Sequence, residues 1–238
     1  MRNLKKFTRT VGIPAAAAVA VLAGSSMAFA ASSYNVAAGS AASGTTLNWT
    51  GTTTGTSPQV QWHNVTSGGS LFSTCLTAAA HGTTTVGTGL ANPLAQIATT
   101  SAGVGTTWTG CKDTATGMEF TVTGTYPWSL NGNGDTVAGK TPGTISNINA
   151  HVHANNGTCD FDVKDQSGSA GRVDVKWTNG SPSTLEVLNN PTLAIKNVSG
   201  FGCGLVGMSN DDVLKFHAIY NVTADIAANN PITVTSNP

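Results

Sequence analysis

The sequence predicts an all-β domain, an antiparallel β-sandwich or Greek-key barrel held by two disulfides and preceded by a cleaved export signal. Three observations predict it. Apolar and polar residues alternate at a period of two along short runs rich in β-branched and aromatic side chains. Turn-forming Asn, Gly and Pro pairs punctuate those runs. Beyond the first thirty residues, no stretch of useful length carries an apolar stripe at helical spacing. Many short strands at such intervals suit a sandwich or a barrel.

Residues 1–30 have the layout of a secretory signal. Arg2, Lys5, Lys6 and Arg9 precede an apolar run from Val11 to Gly24, too short to span a bilayer, and Ala28-Phe29-Ala30 forms a small-x-small cleavage pattern. Residues 31–238 are then a single secreted domain. No Cys stands at the cleavage point and the C-terminal Thr233–Pro238 is polar, so the mature chain is expected to have no lipid anchor and no transmembrane segment. The expected location is extracellular, free or held at the cell envelope by non-covalent contacts. The leader takes four of the eleven basic residues and none of the eleven acidic ones. The mature part therefore has a net charge of −4, which argues against nucleic acid as a partner.

Candidate strands follow in order: Leu47 to Thr50, Gln59 to Val65, Leu71 to Leu76, Met118 to Thr123, Ile145 to His153, Cys159 to Lys164, Arg172 to Trp177, Leu185 to Leu188, Leu193 to Val198, Leu214 to Val222 and Ile232 to Thr235. Asn131–Asp135, Asn156-Gly157, Asn179–Pro182 and Asn190-Pro191 supply turns between them. The regular strands lie in 111–238. Residues 31–110 are more loop-rich: 31–58 and 77–110 are dominated by Ala, Gly, Thr and Ser, and read as long loops or loosely held edge strands.

Four cysteines in an exported chain read as two disulfides, since no pair has the C-x-x-C spacing of a metal cluster. Three pairings are open; the local one, Cys75 with Cys111 and Cys159 with Cys203, is favoured.

From Cys111 onward, Met118–Thr123, Pro127–Asn131, Gly171–Asn179, Asn197–Cys203 and Ile232–Ser236 follow one another in an order that resembles a family of small secreted actinobacterial proteins of unknown function. The resemblance covers about the last 130 residues. It implies export and a β fold, and no activity.

Few residues suggest chemistry. Gly202–Gly207 matches G-x-G-x-x-G, but Met208–Asp212 after it reads as a turn and the motif contains a disulfide cysteine, so no cofactor is expected. His151 and His153 share the polar face of a predicted strand, a spacing at which two imidazoles can hold one metal ion; His217, His63 or Asp160 would supply the third ligand. Asp160, Asp162, Asp165 and Asp174 gather around one predicted hairpin. There a register setting Lys164 against Asp174 and Asp162 against Lys176 relieves like-charge clashes. Neither Gly-x-Ser-x-Gly nor His-Glu-x-x-His occurs. Of the five tryptophans, Trp177 shares the inward face with Val173 and Val175. Trp128, after Pro127 and before a Gly/Asn turn, is compatible with exposure and, with Tyr126, is a candidate for stacking on sugar.

These observations favour a non-catalytic extracellular or envelope-associated structural or binding protein. Cell-wall polysaccharide or self-association would be its partners, because a weakly charged sheet edge is poorly protected against pairing. The alternative is a secreted hydrolase of polysaccharide or ester bonds using Asp160, Asp162 or His151.

Overall fold

The computed structural model describes residues 33–53, 58–63, 70–188 and 192–237, with the backbone alone at 59–63 and 70–72. The predicted leader and Val65 lie outside the described residues. In chain order the strands are β1 (Ser33–Ala38), β2 (Thr46–Thr53), β3 (Gln59–His63), β4 (Ser70–Thr74), β5 (Thr77–Thr85), β6 (Gly87–Leu90), β7 (Ala95–Ile97), β8 (Thr106–Thr109), β9 (Cys111–Asp113) and β10 (Glu119–Gly124). They continue with β11 (Trp128–Gly132), β12 (Lys140–Ile148), β13 (Ala150–Ala154), β14 (Asp160–Lys164), β15 (Gly171–Thr178), β16 (Ser183–Val187), β17 (Leu193–Ser199), β18 (Val213–Ala224) and β19 (Ile232–Asn237). One short helix, α1 (Phe201–Leu205), and a 3-10 turn at Ala227–Asn229 interrupt them.

The pairings close into two rings that share a strand. The order β18-β16-β15-β12-β11-β7-β5-β2 returns to β18, antiparallel at every step. The order β18-β17-β14-β13-β10-β9-β4-β3 also returns to β18. The first part of β18, Val213–His217, pairs in the second ring, and Ala218–Ala224 pairs in the first. Leu214, Ala218, Tyr220, Val222 and Ala224 are buried and Phe216 half-buried, so one face of this strand looks inward throughout. The two interiors are therefore continuous. Closure satisfies the backbone groups that open edges would leave unpaired. A small sheet, β19-β1-β6, covers the outer end of the first ring and brings Val36, Ile232 and Val234 against Trp49 and Trp177.

The expected antiparallel barrel with two disulfides is what the chain forms. The pairs are Cys75–Cys111 and Cys159–Cys203, all four residues buried. Three expectations need correction. Residues 77–110 are only partly loop and edge: 98–105 form a loop and β6 and β8 are edge strands, but β5 lies inside the first ring, between β2 on one side and β7 and β8 on the other. Its inward positions are Ala78, Ala80, Gly82 and Thr84, small because larger neighbours fill the space. The Trp49 indole passes over Gly82 so closely that a Cβ there would lie 2.6 Å from it.

Second, the predicted strand from Ile145 to His153 is two strands. Asn147 takes a left-handed φ of 64°, the register of β12 against β15 slips between Ile145 and Ile148, and the chain crosses from one ring to the other there. Alternation survives the bend: Ile148, Ala150 and Val152 are buried, His151 and His153 exposed.

Third, β14 and β15 form no hairpin. Asp162 stands opposite His151 and Lys196, and Asp174 opposite Thr144. The turn between these strands carries the chain from one ring to the next. Each strand finds its apolar partners in a different ring, and the like charges never meet.

Candidate functional site

The rings enclose an apolar cavity of about 130 Å³ where their interiors join. Small side chains leave the space: Ala80 of β5 and Ala150 of β13 line it, both buried. Large rings bound it: Trp108, Trp128, Phe120, Phe161, Phe216 and Tyr220. Trp108 stands 6.4 Å from Trp128 and 6.5 Å from Phe216, centroid to centroid, and Phe120 meets Phe161 edge-on at 6.2 Å. Among the described residues, no Asp, Glu, Lys, Arg or His is in the lining. Trp108, Val122 and Phe216 are its half-buried members, so the wall thins toward solvent between β8, β10 and β18.

Among the described residues, the hydroxyl-bearing members of the lining are Ser73, Thr106 and Tyr220. Tyr220 is buried in this wall. Burial pushes the phenol pKa well up, so it stays neutral. Nearby, Thr106 exchanges hydrogen bonds with the Tyr126 hydroxyl.

Trp128, expected to be compatible with exposure, is 5% exposed and belongs to the cavity wall. Its indole N–H donates to Thr125 O at 2.9 Å. Tyr126 packs 5.1 Å from it, half-buried, with its hydroxyl engaged by Thr106. The Trp128 face is therefore not offered to an external sugar, because the bend at Tyr126 sends the chain into the first ring with Trp128 inward. Trp177 is core as expected, and its N–H donates to Asn179.

The second cluster lies outside, on the face of β13 and β14. Folding about Asn156-Gly157 sets His153 opposite Asp160 and His151 opposite Asp162. His153 Nδ1 is 2.5 Å from Asp160 Oδ1. His151 Nδ1 is 3.0 Å from Asp162 Oδ1, and its Nε2 is 3.3 Å from Asp160 Oδ1. The His153 hydrogen bond, aided by His151, holds the Asp160 carboxyl below the usual aspartate value. At Asp162 burial pushes the pKa up, but hydrogen bonds from His151, Asn197 and Lys164 outweigh it and the net shift is downward. Asp160 is thus the one expected partner that arrives at the histidine pair. His217 pairs instead with Glu186 at 3.6 Å, beside Lys176, and the His63 side chain lies outside the described residues. Among the described residues, no group of three His, Cys, Asp or Glu takes an arrangement that could hold a metal ion. Both nitrogens of His151 face carboxylates, which leaves that ring no lone pair directed at an outside substrate.

Gly202 to Leu205 of the G-x-G-x-x-G match lie within α1 itself, and Cys203 is tied to Cys159, in an antiparallel setting with no βαβ unit. No helix among the described residues is long and apolar enough to cross a membrane. No protein-family model, curated protein or solved structure matches the chain.

Proposed function

We propose that the chain is an exported, non-catalytic binding protein whose binding site is the cavity between the two rings, and that it takes a small, neutral, largely apolar molecule. The observation that carries this reading is the cavity itself. It is ring-sized, walled by aromatic and branched side chains, and without charged groups among the described residues. Cavities of this size and lining stay free of water and accept a molecule such as benzene. An ion placed there would lose its hydration without gaining a counter-charge, at a cost of several kcal/mol. Affinity for so small a ligand is limited, with Kd on the order of micromolar to millimolar. The two disulfides and the basic, apolar, Ala-x-Ala start of the sequence support action outside the cell.

The test is a thermal-shift and tryptophan-fluorescence titration of the oxidised protein with benzene, toluene and indole. Saturating ligand should raise Tm in proportion to ln(1 + [L]/Kd) and perturb Trp108 and Trp128 emission. Ala150→Leu fills the space and should abolish both effects. A panel in which no ring-sized compound shifts Tm, or in which Ala150→Leu binds as well as the parent, overturns the reading. Export has its own test: protein recovered from the culture medium should begin at Ala31, and material starting at Met1 would refute it.

A further inference from the structure

Resting on that reading of the cavity, we infer that its ligand enters and leaves through the seam between β8 and β10, and that Tyr126 is the latch that holds this seam closed and sets the rate of exchange. Strands of the two rings lie side by side there without a ladder. β8 pairs only with β5, and Thr121–Gly124 of β10 pairs only with β13, because β9 reaches no further than Phe120. Among the described residues, no backbone hydrogen bond joins β8 to β10. A passage between laddered strands breaks backbone bonds, whereas a passage here parts side chains. The lining members that reach solvent all stand at this seam: Trp108 on β8, Val122 on β10, and Phe216 of β18, which meets Trp108 edge-on.

Tyr126 bridges the two strands. The Thr106 N–H of β8 has no neighbouring strand to receive it and donates to the Tyr126 hydroxyl at 2.7 Å, and the two side-chain hydroxyls share a further hydrogen bond. The Tyr126 side chain lies across Gly105, just before β8, and Gly124, at the end of β10; a Cβ at either glycine would run into it. Gly105 and Gly110 bracket β8, Gly110 at a φ of 57°, and residues without a Cβ absorb backbone rotation at both ends of the strand. Tyr126 is half-buried, so water can replace its partners when the latch opens, and opening costs no more than the net strength of those hydrogen bonds. The residue is not part of the cavity lining, so it acts on the route and not on the bound ligand.

The experiment measures rate and affinity separately. NMR line shapes recorded during a toluene titration of the oxidised protein give kon and koff, and calorimetry gives Kd. Tyr126→Phe keeps the ring over the two glycines and removes the hydroxyl. It should raise kon and koff together by about three- to tenfold, the span of one net hydrogen bond lost from the closed state, and leave Kd unchanged. Thr84→Val is the control. It removes a buried hydroxyl that donates to Leu94 O at 2.7 Å, beyond the part of β5 that pairs with β8, and should leave both rates at the parent's values. Unchanged rates in Tyr126→Phe, a rise in koff alone with a weaker Kd, or equal acceleration by Thr84→Val overturns the inference while the cavity reading stands. Failure of toluene, benzene and indole to bind the parent removes the cavity reading and this inference with it. Should Tyr126→Phe not fold, Thr106→Val removes the other hydroxyl of the latch and should accelerate both rates; unchanged rates there overturn the inference equally.

Discussion

At the scale of single residues, much of the fold rests on small side chains placed under large ones. Gly82 is the clearest case, since a Cβ would sit 1.9 Å from Gln96 O and 2.6 Å from the Trp49 ring. Backbone cannot move aside as a flexible side chain would, so Gly82→Ala should destabilise the protein by about 3 kcal/mol or more, read as a lower urea midpoint at unchanged m. At Gly204 of α1 an added methyl group would meet nothing within 4 Å, and the residue is exposed, so Gly204→Ala should be neutral or stabilise by about 0.5–1 kcal/mol. Equal effects of the two would mean that the tight contact at Gly82 does not exist. The His–Asp ladder makes a second prediction. Asp160 ionises more readily in the folded chain than at its ordinary value of 3.8, so its contribution to stability is fully present above that value. It fades as pH falls through the lowered folded value. The difference in Tm between parent and Asp160→Asn should therefore be constant above about pH 5 and shrink toward zero in stronger acid. A difference that grows on acidification would contradict the ladder.

At the scale of elements, the period-two runs are legible because burial acts on each strand independently of its partners. Every candidate run that falls on described residues contains a strand, and Trp177 is core. Partners are less legible. The Asn156-Gly157 turn carries the signal for the ladder, because reflection about it pairs 153 with 160 and 151 with 162. Pairing β14 with β15 instead rests on charge complementarity alone, which cannot sense that the two strands belong to different rings. Residues 77–85 are illegible for another reason. Their inward faces are small because Trp49 and other rings occupy the space, and a sequence of Ala, Gly and Thr does not reveal what covers it. The cavity is invisible likewise, being made by pieces of both rings. The disulfides act at this scale too. Cys75–Cys111 bridges positions 36 residues apart, beside the cavity, and Cys159–Cys203 ties α1 to the start of β14 across 44 residues. Loop entropy assigns each about 3–4 kcal/mol. Replacing either pair by serine should cost about that much in chemical denaturation. Only the Cys75/Cys111 variant should also weaken ring-sized ligands, because only that bridge lines the cavity.

At the scale of the whole molecule, the shared strand decides how the protein should behave as a body. The chain passes repeatedly between the rings, and β18 contributes backbone bonds to four neighbours, β16 and β2 in one ring, β17 and β3 in the other. Neither ring can unfold completely without releasing β18, so unfolding should be a single transition despite the presence of two barrels. Closure bears equally on self-association, which the low charge of the sequence suggests. Among the described residues, the strands with a single strand partner are β8, which pairs only with β5, and β6 and β19 at the margins of the small sheet. They are short, four to six residues each, and offer little template for another chain. The protein should therefore sediment as a monomer at the highest concentration reached, and far-UV dichroism, tryptophan emission and calorimetry should give one Tm. Hydrogen exchange provides the decisive readout. Amides of Ala218–Val222 should exchange only through global unfolding and at the same rate as those of β13 and β14 in the other ring. Two melting transitions, or ring-specific exchange with β18 protected in one half only, would show that the rings are independent and that β18 does not couple them.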